Sequence, residues 1–225
     1  MASCEIHNET IPCLICSALL SEKTRAKEAR ALAGIKDIGI GKRYQDMSFK
    51  DYKATNQAAQ DVLDTCIRYC HTFPDRLAGC DSLLMLGKPG TGKNMLAACI
   101  CKEIVGQGYT ALHTTAMKMV RKIKTSWGKD SGKDEQELID QFAKPDLLVV
   151  DEIGVQFNSL AEKILLFEAV NGRYEEKKPT ILISNLSLDE VERYLGVTLI
   201  DRFHEGKSAV LEFTWDSFRR SNPCA

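Results

Sequence analysis

No stretch of the 225 residues stays apolar for the length of a membrane span, and the first residues lack the basic and apolar regions of a signal peptide. Both absences point away from insertion and export and set the expectation of a cytoplasmic protein with no membrane partner. An excess of one charge is lacking too: 30 Lys and Arg stand against 31 Asp and Glu, a net charge of −1. There is then no global basic field for duplex DNA, and any nucleic-acid contact has to be a local patch. Internal repeats and low-complexity tracts are also missing, so the fold has to be read from the alternation of its elements. Cysteine, by contrast, is plentiful. Nine cysteines would suit a disulfide scaffold in a much smaller secreted chain, but here the odd count reads as reduced thiols plus a candidate metal site.

Length allows one good core with a small appendage. Residues 1–20 carry clustered cysteines. Residues 21–50 are charged and mixed, with a solvated helix over 22–33 and a glycine-punctuated linker over 34–43. Residues 51–225 alternate helical and strand-like segments, as a parallel α/β sheet requires. The patterning predicts strands at 82–86, 110–114, 146–151, 180–184 and 209–213. It predicts helices at 55–72, 93–105, 116–126, 160–176 and 188–195. After the last strand about a dozen residues remain, which leaves no room for a full helical lid.

The most informative segment is Gly87, Lys88, Pro89, Gly90, Thr91, Gly92, Lys93 and Asn94. An apolar run precedes it and a helix-length segment follows, the context that a phosphate-binding loop needs. Its glycines let successive N–H groups converge on an anion, and the helix N-terminus adds its positive dipole end. Lys93 would reach the β- and γ-phosphates. Asn94 stands where Ser or Thr normally offers a hydroxyl to magnesium. An amide oxygen can still ligate a hard cation, so ATP binding should survive with slow turnover.

A second apolar run, Leu147 to Val150, delivers Asp151 and Glu152 to a strand tip. Asp151 would hold magnesium and Glu152 would polarise the attacking water. Asn185 ends the next strand, where it can approach the γ-phosphate or cap the helix that starts near Leu188. Asp201-Arg202-Phe203 follows a short helical segment; Arg202 reads as a residue that completes a neighbour's site or as half of a surface ion pair.

These blocks, with Leu96-Ala97-Ala98 and Trp215-Asp216-Ser217-Phe218-Arg219, resemble the bacterial DnaC replicative-helicase loader family within the DnaC/IstB group of AAA+ ATPases. The resemblance covers roughly residues 43–220 and includes the Asn at position 94. It implies a three-layer αβα P-loop NTPase with a parallel five-stranded sheet, ATP and Mg2+ as cofactors, and weak ATPase activity. It implies Lys93 as the Walker A lysine, Asp151 and Glu152 as the Walker B acids and Asn185 as a γ-phosphate sensor. Arg202 would be an arginine finger acting in trans and Arg219 a second sensor. The implied partners are a hexameric replicative helicase, single-stranded DNA and, with ATP, further copies of the chain. An IstB-type transposition helper, a P-loop metabolite kinase and a non-hydrolysing adaptor are the rival readings.

The N-terminus departs from the family, carrying Cys4, His7, Cys13 and Cys16 in place of helicase-grasping helices. Three thiolates and an imidazole in two closely spaced pairs favour a structural zinc ion, against unliganded thiols in a tail. Residues 117–127 alternate cationic and apolar side chains at helical spacing. Lys124 and Trp127 are the candidate contacts to single-stranded DNA, a cation for the phosphate track and a ring for base stacking. The competing reading is an amphipathic helix with Met117, Val120 and Ile123 inward.

Overall fold

The structure is a computed structural model, and it describes residues 38–128, 132, 134–154 and 160–218. Cys4, His7, Cys13, Cys16, the helix expected over 22–33 and Arg219 lie outside the described residues.

Five segments form the strands β1 (Leu83–Gly87), β2 (Ala111–Thr115), β3 (Leu147–Ile153), β4 (Thr180–Ser184) and β5 (Ala209–Phe213). All pairs are parallel, in the order β2-β3-β4-β1-β5. The sequence pattern locates every strand to within two residues; β1, β3 and β4 are buried on both faces and read as near-continuous apolar runs, while the edge strands β2 and β5 are only partly buried and carry polar residues. Alternate residues then divide between two layers. Leu83 and Met85 join one core with Val149, Ile181 and Ile183, while Leu84 and Leu86 join the other with Leu148, Val150 and Leu182.

Helices cover both faces. The first core is closed by α1 (Gln57–His71), α2 (Phe73–Gly79) and α3 (Lys93–Gly106). The second is closed by α4 (Ala116–Ile123), α5 (Glu135–Ala143), α6 (Leu160–Glu175), α7 (Leu188–Leu195) and α8 (Val197–Asp201). This is the three-layer αβα architecture. Truncating a fully buried side chain such as Leu148 to Ala should cost about 2–5 kcal/mol. Among the described residues no helix is long and apolar enough to cross a membrane.

Two sequence boundaries shift. Ile38 and Ile40 are buried in the first core, and the Ile38 carbonyl accepts the His113 amide of β2 at 2.6 Å. Between them Gly39 has φ +82°, and a Cβ there would overlap the His113 carbonyl. Residues 38–50, grouped by composition with a charged linker, therefore pack on the α/β body. In α4 the buried residues are Ala116, Met119, Val120 and Ile123, so Met119 takes the inward place expected of Met117. The helix then tightens into a 3-10 turn over Lys124–Trp127.

Candidate nucleotide-binding site

The C-terminal ends of β1, β3 and β4 open on one cavity of 710 Å³, a volume suited to a nucleotide. Its wall includes Pro89 to Asn94, Asp151, Glu152 and Asn185, so separate sequence blocks converge as expected. The loop turns from β1 into α3, whose first residue is Lys93. Lys93 is folded back, its ammonium donating to the carbonyls of Gly87 at 2.5 Å and Lys88 at 2.8 Å. Burial pushes its pKa down to about 8, against the upward pull of Asp151.

Asp151 is held at the tip of β3. One carboxylate oxygen accepts the Glu152 amide at 2.7 Å and the other accepts the Asn94 side-chain amide at 2.5 Å. Burial pushes the Asp151 pKa up, which outweighs its hydrogen bonds and the nearby Lys93. Anion and cation are thus each penalised by desolvation, as in a site that waits for magnesium and a polyanion to complete its charge balance. Asn94 answers for the missing hydroxyl with two atoms: Nδ2 donates to Asp151, while Oδ1 remains an acceptor for a cation. Among the described residues no group of three or more His, Cys, Asp or Glu could hold a metal.

Glu152 is exposed and has φ +60°, a left-handed conformation unfavourable for a residue with a Cβ. The β3–β4 register breaks between Val150 and Ile153 at the same point. This bulge turns Glu152 out of the sheet toward the cavity. Asn185 is also exposed at the β4 tip. The capping role that competed for it belongs to Ser187, which forms a reciprocal capping box with Glu190 at the start of α7. Asn185 is left to face the cavity.

Sequence reasoning missed the wall that packs beside the loop. Arg43, Tyr44, Met47 and Tyr52 come from the segment before α1, and Trp215 and Phe218 from the chain after β5. The aromatic cluster at Tyr44, Phe49 and Tyr52 was the available signal.

Arg202 lies elsewhere. It shares a cleft with Cys80, Ser82, Lys178 and Thr180 near the beginnings of β1 and β4, the end of the sheet opposite its own phosphate loop. Its guanidinium stacks 4.1 Å from the centre of the Tyr174 ring and donates to the Asn171 side chain. The Tyr174 hydroxyl in turn donates to Glu205 at 2.9 Å. Among the described residues Arg202 has no ion pair with Asp201. Trp127 is 50% exposed and donates its indole N–H to Glu135. Lys124 pairs with Glu162 at 3.0 Å and sits 5.2 Å from the Trp127 ring centre. Two carboxylates thus crowd the candidate strand contact, whereas Lys118, Arg121 and Lys122 are exposed on the preceding helix.

Comparison with known proteins agrees with this geometry. The family described as IstB-like ATP binding protein matches residues 14–223. The replicative helicase loader DnaC of Escherichia coli (strain K12) is 34% identical over 203 residues, covering 90% of this chain and 80% of that protein. DnaC of Buchnera aphidicola subsp. Baizongia pistaciae (strain Bp) is 32% identical over 204 residues, covering 91% and 81%. In fold, the crystal structure of the DnaC helicase loader matches with a TM-score of 0.67 at 23% identity, covering 76% of this chain and 99% of that one. This chain belongs to the IstB-like ATP-binding protein family, with DnaC helicase loaders among its relatives.

Proposed function

We propose that the chain is an ATP-dependent loader that places a hexameric replicative helicase on single-stranded DNA. The observation that carries this reading is the alignment with DnaC loaders over 90% of the chain at 34% identity. The cavity supplies the chemistry. Loop amides and Lys93 bind the triphosphate, and Asn94 and Asp151 hold magnesium, which neutralises charge on the phosphates. Glu152 orients and polarises the attacking water, with Asn185 beside it at the γ-phosphate. Hydrolysis is slow and serves as a release signal. Arg202 acts on a neighbour's nucleotide, because it stands at the far end of the sheet from its own loop. ATP thereby favours self-association, and Arg219 acts as a second sensor. Single-stranded DNA runs along the α4 face, where Lys118, Arg121 and Lys122 supply cations and Lys124 and Trp127 lie at its end. Cys4, His7, Cys13 and Cys16 hold a structural zinc ion in a segment that contributes to partner choice.

The test is size-exclusion chromatography of the chain with the replicative helicase of its host, with and without ATP. Co-elution that requires ATP and is lost in Lys93→Ala is the expected result. The rival reading is an IstB-type transposition helper. Failure to bind the helicase, with binding to a transposase instead, would replace the loader reading with that one.

A further inference from the structure

Each peptide unit of the phosphate loop, apart from the one that precedes Pro89, has an N–H as well as a carbonyl. In a trans peptide the two point to opposite sides. An amide can hold its aim at an anion only if the carbonyl of the preceding residue is satisfied on the other side. In this chain the carbonyls of Gly87 and Lys88 are satisfied from within the loop by Lys93, whereas those of Gly90 and Thr91 have donors from outside it. The Phe218 amide donates to the Gly90 carbonyl at 3.0 Å. The Thr91 carbonyl accepts two donors, the Tyr52 hydroxyl at 3.2 Å and the Trp215 indole N–H at 3.1 Å.

The two rings reach the loop from opposite ends of the chain. Tyr52 ends the segment before α1, which is tied down by Lys102 of α3. The Lys102 ammonium donates to the carbonyls of Tyr44 at 3.0 Å and Gln45 at 3.1 Å, and to that of Met47. Trp215 follows β5 and packs on Phe213 with ring centres 5.0 Å apart. Tyr52 also fixes the backbone by contact. Gly92 has φ +101°, and a Cβ there would overlap the Tyr52 ring. The half-buried phenol has its pKa raised by desolvation, so it stays a donor throughout the working pH range.

We propose that Tyr52 and Trp215 are positioning residues for triphosphate binding: together they hold the Thr91 carbonyl outward and so turn the Gly92 amide onto the phosphates. The inference rests on reading the cavity as an ATP site. It gives Trp215 a role distinct from that of Arg219 in the same block. It also makes the loop's aim depend on the segment that joins the ATPase body to the N-terminal region.

Both rings also line the cavity, so the rival role is stacking on the base. Inorganic tripolyphosphate has no base and separates the two. Calorimetric affinities for ATP and for tripolyphosphate are measured on the full chain, as wild type, Tyr52→Phe, Trp215→Phe and Lys93→Ala. Ligand-free melting points are taken in parallel. Each aromatic variant removes one donor and keeps a ring. The expected result is a loss of about threefold to tenfold for both ligands by the same factor, the size of one neutral hydrogen bond, with each variant still fully folded at the assay temperature although its melting point falls by several degrees. A loss for ATP alone would show base stacking and overturn the proposal. No loss for either ligand would show that the loop holds itself, and overturn it as well. Lys93→Ala binding both ligands normally would instead overturn the underlying phosphate-loop reading.

Discussion

Arg173 is fully buried in α6, yet its structural neighbours are carbonyls rather than an acid. Its guanidinium donates to the carbonyls of Phe142, Ala143, Pro145, Asp146 and Pro179 and to the Thr180 hydroxyl, at 2.7 to 3.3 Å. These groups end α5 and begin β3 and β4, so one side chain ties together the bases of the two strands whose tips carry Asp151 and Asn185. Burial pushes its pKa down to about 10, still charged at neutral pH. Arg173→Met keeps the length and removes every donor. The acceptors at Ala143, Pro145 and Asp146 are only part-buried and can turn to water. The Thr180 hydroxyl can rotate to another partner. The Phe142 and Pro179 carbonyls remain buried without a donor, at about 1–3 kcal/mol each. Relief of the buried charge offsets part of this. A net loss of about 3 kcal/mol is expected, which for a domain of this size lowers the melting point by about 6–12 °C. Urea unfolding should show a lower midpoint at unchanged slope, and Arg173→Lys should recover part of it. An unchanged or higher midpoint for Arg173→Met would refute the reasoning, because it would mean the carbonyls are already solvated.

Acid sensitivity should trace in part to His113, whose pKa burial pushes down to about 4, with the Lys118 cation adding to the shift. Between pH 6.5 and 4 the unfolded chain takes up this proton and the folded chain does not. Stability is therefore complete above pH 6.5 and falls by up to about 3 kcal/mol toward pH 4, a slope that His113→Gln should flatten in pH-dependent melts. Asn94→Thr restores a hydroxyl at the metal position and should bind ATP at least as well, with faster phosphate release. Complete loss of binding would show that the hydrogen bond from the Asn94 amide to Asp151 is indispensable. Arg202→Ala should leave ATP affinity intact while lowering turnover, since a finger acts on its neighbour's transition state; turnover independent of protein concentration and of the substitution would remove the trans role. Purified protein should carry close to one zinc per chain, lost in the Cys13→Ser, Cys16→Ser double variant, and elemental analysis without metal would defeat that reading.

The strands and the phosphate loop were legible because their signals are local. A doubly buried strand needs an apolar run, and an anion cradle needs glycines before a helix. What escaped is set by contacts distant in sequence. Tyr52 and Trp215 meet at one carbonyl from either end of the domain, and neither position carries a local mark of that. The helix α5 also went unread, since it buries only Leu138, Ile139 and Phe142 within a charged stretch. The left-handed Glu152 follows from a register break between neighbouring strands. Lys124 read as a free cation because its partner, Glu162, lies on another helix.

The central claim, that the nucleotide state of this site governs delivery of a helicase ring to DNA, is tested most directly on closed circular single-stranded DNA. A closed hexamer cannot thread a circle without opening. The measurement is the rate at which the helicase unwinds an oligonucleotide annealed to the circle, with no chain, wild-type chain or Lys93→Ala. A strong stimulation by wild type in the presence of ATP, absent with Lys93→Ala, is the predicted result. Equal unwinding in all three reactions would contradict the account.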